Sequence, residues 1–550
     1  MFYKIGSSRM SSKLVAFTNN RLSSWQQGVL AILSGLLLSL AFLDAQYYVF
    51  AWFAYLPFLI AINGASLIRS YCLGLIAGLV FVMSAGYWVM DFLMLSKGYG
   101  LGLSILWSLV FWLYCAQLNA LVALGFTYLK QRSPVHEFIL FPLVIVTIYS
   151  AFPMLFTVRL GESQSQFLSA IQAVEFTGVH GLDAIIALSN IILFRVLAGL
   201  RRSKSKQMAW PYMIALTPIV LWFSYGMVVI QNWDLQIAQS KTVRIGIVQP
   251  NEAPSLEKST PYPGYSRAYP PEMAMTERLS KAGAEIVIWP EAKYKAYLDQ
   301  PHVAKAFQYQ LKQLNTRLVF QDIEHIAVSK QNATPLQYNT ALMLDKDGQQ
   351  LGQYQKMKRI PFGEYVPLVS DIPVLRAWVE SFFGKFLNEM ESGKVHQVFE
   401  DKIINIIPLI CYEVMFPAFV AEAVAEISTE SEFGNLLVGL SSNGWFGATR
   451  QPYQHINASI LRAVENRMPL VHAVNNGPSI VALPTGRVIF ISDYHQAGGY
   501  IVDVPFVDNV EGSYFSQYPR LFVFSAYGLL LSIVVFTFRR KKQRTSENFH

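Results

Sequence analysis

The sequence predicts a protein of two unlike parts: a multi-spanning α-helical membrane domain of about eight spans, and a large α/β domain placed before the last span. The first observation is composition, because the 550 residues are 53% hydrophobic and 15% charged, whereas soluble domains carry roughly 25% charged residues. The second is distribution, since long apolar runs fill residues 1–231 and return over 519–538, while residues 232–518 have an ordinary soluble composition. We therefore expect a membrane domain over 1–231 with about seven helices, an α/β domain over 232–518, and a last helix with a basic tail over 519–550.

The candidate spans are stretches of about 20 mostly apolar residues, the length that crosses the hydrocarbon core of a bilayer. They lie near 26–43, 47–64, 71–95, 101–129, 137–157, 180–199, 209–231 and 519–538. The first follows a basic N-terminal arm, as a signal peptide does, but no small-residue cleavage site follows it. We interpret it as an uncleaved span, and an even number of spans places both termini on the same side of the membrane.

Basic residues occupy every second loop between these spans. The basic loops are the N-terminal arm, Arg69, Lys130 with Arg132, residues 201–206 and residues 539–544. The alternate loops hold little beyond Lys97 and Arg159. Because short cytoplasmic loops are enriched in Lys and Arg, the α/β domain is expected outside the cytoplasm, in the periplasm of a bacterial inner-membrane protein. The net charge of +8 then reflects topology, and no nucleic-acid partner is expected.

Within the α/β domain, short apolar runs alternate with helical patterns. The candidate strands are 244–249, 285–289, 317–321, 340–344, 403–410, 436–440 and 470–474. The candidate helices are 271–282, 302–314, 417–427 and 453–467. Strands that are apolar throughout indicate a sheet buried on both faces, and their alternation with helices predicts a layered α/β domain.

Three polar residues stand where apolar strands end. Glu291 ends the run that begins at Ile286, Lys356 follows the strand-like 352–355, and Cys411 ends the run that begins at Ile406. Taken singly, each is more often an ordinary surface residue or a small buried thiol. Because α/β sheets assemble their sites at strand ends, the three together favour one catalytic site.

The cysteines point to the same site. The chain has three, of which Cys72 and Cys115 lie in apolar runs and are interpreted as inert thiols. A disulfide framework is not expected from so few cysteines. Cys411 stands alone in the polar part of the chain and therefore needs an explanation of its own.

These residue types suit nucleophilic acyl transfer. A free thiol has a pKa of roughly 8.5 and reacts as the thiolate, so Cys411 needs a base, and a buried Glu291 is the candidate. Lys356 and the backbone N–H of Tyr412 are suited to stabilise the oxyanion, and a thioester on Cys411 would divide the transfer into two easier steps. No cluster has metal-ligand spacing and no glycine-rich phosphate loop occurs, so neither metal nor cofactor is expected.

Several short strings carry a resemblance to a known family. They are Trp289-Pro290-Glu291, Tyr338-Asn339, Tyr354-Gln355-Lys356, the run Pro361 to Pro367, Ile410-Cys411-Tyr412-Glu413, Trp445-Phe446-Gly447, Gln454-His455, Arg462-Ala463-Val464-Glu465, Asn475-Asn476-Gly477 and, in the third span, Gly86-Tyr87-Trp88. In this order they resemble the nitrilase superfamily and, within its membrane-embedded branch, the apolipoprotein N-acyltransferase family. The family usually has aspartate where Asn443 stands and arginine where His472 stands, and residues 150–180 and 368–402 match it poorly.

The resemblance implies eight spans around a periplasmic nitrilase-like αββα sandwich. It implies the catalytic triad Glu291, Lys356 and Cys411, with Glu364 as a supporting carboxylate near Lys356. Tyr412 and Glu413 are implied to shape the pocket. For Glu364, a loop-stabilising role is the alternative, while His455 and His472 are interpreted as structural.

The implied reaction takes a fatty acyl chain from a phospholipid donor to Cys411. The chain then passes to the α-amino group of the lipid-modified N-terminal cysteine of an apolipoprotein acceptor, with ping-pong kinetics. Two alternatives stay open: a membrane-tethered amidase or hydrolase with the same triad, and a non-catalytic lipid-binding scaffold.

Acyl transfer also needs a site that excludes water. Residues 374–387, with Leu375, Trp378, Phe382 and Phe386 at near-helical spacing, predict an amphipathic cover that lies in the membrane interface. A helix packed on the domain's own core is the alternative for this segment.

Overall fold

The computed structural model describes residues 22–199, 209–253, 260–291, 294–327, 335–361, 363–366, 369, 372–383, 390–427, 435–506 and 512–547. The basic arm before residue 22, the basic loop 201–206 and Phe386 lie outside these ranges.

The helices of the described residues fall into a membrane part and an α/β part. In chain order they are α1 (Ser24–Leu43), α2 (Tyr55–Ile62), α3 (Leu67–Ala85), α4 (Trp88–Lys97), α5 (Leu101–Arg132), α6 (Glu137–Ala151), α7 (Leu168–Ile171), α8 (Val174–Thr177), α9 (Val179–Gly199), α10 (Ala209–Ala238), α11 (Pro271–Lys281), α12 (Pro301–Leu314), α13 (Pro373–Phe383), α14 (Pro417–Ile427), α15 (Gln451–Asn466), α16 (Tyr514–Gln517) and α17 (Leu521–Glu547). Short 3₁₀ turns occupy Ala45–Trp52, Leu160–Gln164, Cys411–Met415 and Gly444–Phe446.

Seven helical stretches of the described chain are long and apolar enough to cross a membrane, and Glu137–Ala151 is apolar but shorter. The expected fifth span, 137–157, ends early at Ala151 because Pro153 forces the residue before it into an extended conformation. The expected third span, 71–95, is broken between α3 and α4 at Gly86, whose carbonyl accepts a hydrogen bond from the Trp112 indole at 3.0 Å. The protein is thus a multi-spanning membrane protein, with about eight apolar helices.

Small residues allow the membrane helices α3 and α5 to pack closely. A Cβ on Gly74 would lie 2.6 Å from the Asn119 carbonyl oxygen, and one on Gly78 would lie 2.6 Å from the Ala116 carbonyl oxygen. Such close backbone approach is typical of helix pairs in bilayers, where dispersion contacts rather than water exclusion hold helices together.

The α/β part contains eleven strands in the described residues. They are β1 (Lys241–Gln249), β2 (Ile286–Ile288), β3 (Arg317–Ile326), β4 (Leu336–Leu344), β5 (Gln350–Gln355), β6 (Asn405–Ile410), β7 (Asn435–Ser441), β8 (Leu470–Val474), β9 (Ile480–Ala482), β10 (Val488–Ile491) and β11 (Gly498–Phe506). The first sheet has the order β11-β1-β2-β3-β4-β5 and the second has the order β10-β9-β8-β7-β6. The central strands β1, β2 and β3 of the first sheet are parallel, as are β6, β7 and β8 of the second.

The two sheets pack face to face and form an αββα sandwich. Their shared core includes Ile245, Ile288, Ile406 and Val438. Helices α11 and α12 cover the outer face of the first sheet. Helices α14 and α15 cover the second sheet and belong to the same apolar core as the membrane helices, so the two parts of the chain share one interior.

The boundary expected at residue 231 falls inside α10, which continues to Ala238, and β1 begins at Lys241. The fold class expected from the sequence, a membrane domain of several apolar helices joined to a nitrilase-like α/β domain, is confirmed.

Candidate active site

Glu291, Lys356 and Cys411 converge from both sheets. Glu291 follows β2 and Lys356 follows β5 in the first sheet, whereas Cys411 follows β6 in the second. All three are buried, with 5%, 1% and 5% of their surfaces exposed. The site therefore lies between the two sheets, at the strand ends, where the sequence placed its three candidates.

Cys411 has a backbone conformation that non-glycine residues rarely adopt. Its φ is +50°, in the left-handed region, and it begins the short 3₁₀ turn Cys411–Met415 directly after β6. This sharp change from strand to turn places the thiol at the sheet end instead of in the next alternating position of a strand.

Glu413 holds this turn against the strand end that carries Lys356. One carboxylate oxygen accepts a hydrogen bond from the Ile410 N–H at 2.8 Å. The other accepts from the Met357 N–H at 2.7 Å and from the Tyr354 hydroxyl at 2.7 Å. Glu413 is fully buried and joins the ends of β5 and β6.

Lys356 sits between two carboxylates. Its Nζ lies 2.9 Å from Glu364 Oε1 and 3.8 Å from Glu291 Oε1. Asn339 links the same two carboxylates, because its Nδ2 donates to Glu291 at 2.7 Å and to Glu364 at 3.2 Å. The second oxygen of Glu364 accepts from the Ile360 N–H at 2.8 Å, so Glu364 both pairs with Lys356 and stabilises the loop after it.

The electrostatics of the site favour a charged lysine beside a readily protonated glutamate. Burial raises the pKa of the Glu291 carboxyl, and the Lys356 ammonium offsets part of that shift. Burial opposes charge on Lys356, but the carboxylates of Glu364 and Glu291 outweigh it, so that the pKa of Lys356 is raised.

The thiol itself is disfavoured as a free anion. Burial and the nearby Glu291 raise the pKa of the Cys411 thiol, while the Ser442 N–H, which donates to the sulfur, opposes the shift. The thiol donates a hydrogen bond to Glu291. The thiol proton thus faces a buried carboxylate whose own pKa is raised.

A cavity lined mainly by apolar groups opens in front of Glu291 and Glu364. Its aromatic wall is built by Phe92 of α4, Phe156, Trp445 and Phe446. The Phe92 and Phe446 rings stack with centroids 5.5 Å apart, and Ser96 of α4 donates to the Trp445 carbonyl at 2.8 Å. A helix of the membrane part and a loop of the α/β part thus enclose the cavity together.

Tyr412 faces the membrane part. Its hydroxyl donates to the Leu155 carbonyl, and its ring packs against Phe156 with centroids 6.2 Å apart. Tyr412 thus contacts a residue of the cavity wall, since Phe156 lines the cavity, and its role in shaping the pocket stays a prediction.

His455 lies directly behind Cys411. Its Nε2 lies 3.2 Å from the Cys411 carbonyl oxygen and its Nδ1 lies 3.1 Å from Asn443 Oδ1. Burial lowers the pKa of His455 to about 4, so the ring is neutral and donates to only one of these two oxygens.

Two groups of site residues were not assigned by sequence reasoning. Asn339 begins the buried part of β4, where it is 1% exposed, and a polar residue at a buried strand position is a usable indication. Phe92 and Phe156 carry no such indication, because apolar residues are unexceptional in and beside membrane helices.

The amphipathic segment expected over 374–387 is described only in part. Helix α13 covers Pro373–Phe383, and its Val374 and Trp378 are 80% and 58% exposed. These values disfavour packing of that face on the domain's own core. No group of three or more potential metal ligands occurs within the residues that the structure describes.

Comparison with known proteins gives consistent matches in both parts. The profile of the apolipoprotein N-acyltransferase N-terminal domain matches residues 34–192, and that of carbon-nitrogen hydrolase matches residues 265–508. A protein of Geobacter metallireducens named apolipoprotein N-acyltransferase is 27% identical over 543 residues, covering 93% of this chain and 95% of its own length. Its namesake in Rickettsia typhi is 27% identical over 321 residues, covering 58% of this chain and 59% of its own length.

Among solved structures, an amidase from Nesterenkonia sp. matches 48% of this chain and 92% of its own, with 18% identity and a TM-score of 0.34. This similarity is too low to extend to details of the site.

Proposed function

The chain belongs to the apolipoprotein N-acyltransferase family, and from that premise we propose that it moves a fatty acyl chain from a phospholipid to an apolipoprotein by way of a thioester on Cys411. The acceptor is the α-amino group of the diacylglyceryl-modified N-terminal cysteine. The observation that carries the proposal is the convergence of Glu291, Lys356 and Cys411 between the two sheets. Glu291 also lines the cavity whose aromatic wall comes partly from helix α4 of the membrane part.

In the first step, the Cys411 sulfur attacks the ester carbonyl of the phospholipid while Glu291 takes the thiol proton. The oxyanion forms beside the Lys356 ammonium and the Tyr412 N–H, and charge stabilisation of this kind is often the largest catalytic contribution. The ester C–O bond then breaks, the lysophospholipid oxygen receives the proton from Glu291, and the acyl chain remains on sulfur.

In the second step, the acceptor amine attacks the thioester and Glu291 takes a proton from its nitrogen. The C–S bond breaks, the amide is released and the proton returns to the sulfur. Glu364 and Asn339 support both steps by fixing the Lys356 and Glu291 side chains, which keeps the oxyanion partner charged and the base oriented.

The membrane context supports transfer over hydrolysis. An apolar cavity beside the bilayer admits an acyl chain and disfavours water, and the exposed Trp378 face of α13 is suited to the membrane interface. We place the protein in the bacterial inner membrane with its α/β domain, residues 232–518, in the periplasm. The alternating basic loops favour that orientation.

The decisive experiment incubates the purified full-length protein with phospholipid vesicles and maps acyl mass by tryptic mass spectrometry. We expect one fatty acyl group on the Cys411 peptide, which disappears when a diacylglyceryl lipopeptide with a free amine is added. Rapid loss of the acyl group without any amine would favour a membrane-tethered hydrolase. Absence of acyl mass from Cys411 while the lipopeptide is still acylated would refute the thioester mechanism.

A further inference from the structure

The turn that carries Cys411 is held by a segment of the membrane part. We call residues 155–159, which follow helix α6, the clasp segment. Arg159 Nη1 donates to the Met415 carbonyl at 3.1 Å, and the Thr157 hydroxyl contacts the same oxygen at 3.4 Å. The Tyr412 hydroxyl donates in the opposite direction, to the Leu155 carbonyl. The clasp segment therefore contacts both the beginning and the end of the turn.

Helix α15 holds the same turn from the other side. Arg462 Nη1 donates to the Val414 carbonyl at 3.3 Å, and His455 Nε2 lies 3.2 Å from the Cys411 carbonyl oxygen. A single helical turn leaves its last carbonyls without helical partners. Here the Val414 carbonyl accepts from Arg462, which is 0% exposed, and the Met415 carbonyl accepts from Arg159, which is 7% exposed.

The two arginines belong to two buried ion pairs whose charges act on each other, Glu162 on Arg462 and Arg159 on Glu465, and together these pairs form a network that reaches a membrane helix. Arg159 pairs with Glu162 at 3.1 Å, and Arg462 pairs with Glu465 at 2.6 Å. Glu465 also accepts from the N–H of Val179, the first residue of α9, at 2.8 Å. The network thus fixes the position of the nucleophile turn relative to the membrane helices.

This matters because the conformation of Cys411 is unfavourable by itself. A non-glycine residue with φ +50° persists only where its surroundings over-determine it. Without the clasp, the turn can relax toward ordinary helical dihedral angles, which would move the sulfur away from Glu291. The membrane part would then supply the nucleophile geometry as well as the cavity wall.

We propose that Arg159 is a positioning residue, through which the membrane part holds Cys411 in its reactive geometry. The proposal rests on the proposed role of Cys411 as nucleophile. It goes beyond that role by assigning a function in the reaction to a residue outside the α/β domain. Arg159 touches neither substrate nor reacting atoms and acts only through the Met415 end of the turn.

The test uses the full-length protein in detergent with the double variant Arg159→Met/Glu162→Gln, which removes the cation without leaving its carboxylate uncompensated. Alkylation of Cys411 by iodoacetamide is followed by mass spectrometry, with an added cysteine-containing peptide of known concentration as standard. Loss of a charged hydrogen bond to a buried carbonyl should slow both Cys411 alkylation and acyl-enzyme formation by about 10–100-fold. KM for phospholipid and the thermal midpoint should change little.

Arg159→Lys is the graded variant, because lysine keeps the positive charge but has a shorter side chain. Its ammonium would not reach the position of Nη1, the atom that contacts Thr157, Glu162 and the Met415 carbonyl. We expect a loss of about 3–10-fold in both rates. Arg487→Met is the matched control, since Arg487 pairs with Asp234 of α10 at 2.9 Å on the exposed side of the same junction, and it should leave both rates unchanged.

Wild-type rates in the double variant overturn the proposal, as does a loss confined to KM or to the thermal midpoint. Should the double variant fail to fold, Arg159→Lys decides: wild-type Cys411 alkylation overturns the proposal, and a selective loss supports it. Alkylation needs no acyl donor, so a wild-type protein that never gains acyl mass refutes the proposed function without touching this inference.

Discussion

Lys356 and Glu364 form an ion pair with an Nζ–Oε1 distance of 2.9 Å, in which the two residues are 1% and 3% exposed. A buried charge is costly unless it is paired and hydrogen-bonded. Glu364 therefore does more than stabilise its loop, because it also holds the Lys356 cation in the buried site.

We expect Glu364→Gln to lower the rate of acyl-enzyme formation by about 10–100-fold, because the oxyanion partner loses the carboxylate that sustains its charge. The rate is measured by quenched mass spectrometry of the Cys411 peptide. Glu277→Gln is the control: Glu277 pairs with Lys281 on the exposed surface of α11, and its loss should leave the rate unchanged. A wild-type rate in Glu364→Gln would reduce Glu364 to a loop anchor.

The pH dependence of acylation should report the Glu291 carboxyl. Because burial raises its pKa above the ordinary value of 4.5, the active, deprotonated base is present above that raised pKa. Activity is then lost as the pH falls through it. We expect the acid limb of kcat/KM to lie above pH 4.5.

The matched variant is Glu291→Gln. It should lower the rate by about 10²–10⁴-fold, and the acid limb of the pH profile should disappear. The measurement is the steady-state acylation rate between pH 4 and 9, in a series of buffers of constant ionic strength. An acid limb that persists in the variant would assign the titration to another group.

Replacing Cys411 should separate stability from activity. Both Cys411→Ala and Cys411→Gly should lack the acyl-enzyme. Glycine adopts a φ of +50° without steric cost, whereas a Cβ in this region costs about 1–2 kcal/mol. Cys411→Gly should therefore unfold at a higher temperature than Cys411→Ala in detergent. Equal midpoints would indicate that the turn carries no strain.

The topology can be tested with reporter fusions. A phosphatase that is active only in the periplasm, joined after residue 240, should be active, while the same reporter after residue 545 should be inactive. This follows from the alternating basic loops and the odd number of crossings after the α/β domain. Equal signals at the two positions would contradict the proposed orientation.

Helix α13 supplies a test for transfer against hydrolysis. Val374→Asp with Trp378→Asp replaces two exposed apolar side chains, and each such side chain contributes roughly 1.5–3 kcal/mol on burial. If α13 lies in the membrane interface, the variant should fold normally but load Cys411 slowly or lose its acyl group to water. Unchanged loading and transfer would remove α13 from the mechanism and leave the site as described.

Local patterns were sufficient for the fold class and for expecting Glu291, Lys356 and Cys411 to lie together, whereas their catalytic roles stay a prediction. Apolar length identifies membrane helices, and polar residues at the ends of apolar strands identified Glu291 and Cys411. The strands β9, β10 and β11 were not predicted. β9 has only three residues, and β10 and β11 are partly exposed, so they lack the continuous apolar run that identified the other strands.

The contacts that sequence reasoning could not reach join distant parts of the chain. Arg159 was interpreted only as a sparse loop charge, and nothing near it in sequence indicates Met415. The breaks in the third and fifth spans arise at Gly86 and Pro153, where a tertiary hydrogen bond or a steric clash ends a helix that hydropathy alone would continue.

Helix α15 limits how this protein can be divided. Its apolar residues, among them Ile456 and Ile460, belong to a core that also contains Leu160 and Ile186 of the membrane part. A fragment cut before Lys241 and after Phe506 would expose that face to water, and it would lose the Leu155 and Arg159 partners of its own nucleophile turn. A soluble version of the α/β domain would need polar residues on the exposed face of α15 and a new support for the turn that carries Cys411. The two parts of the chain therefore have to be redesigned together.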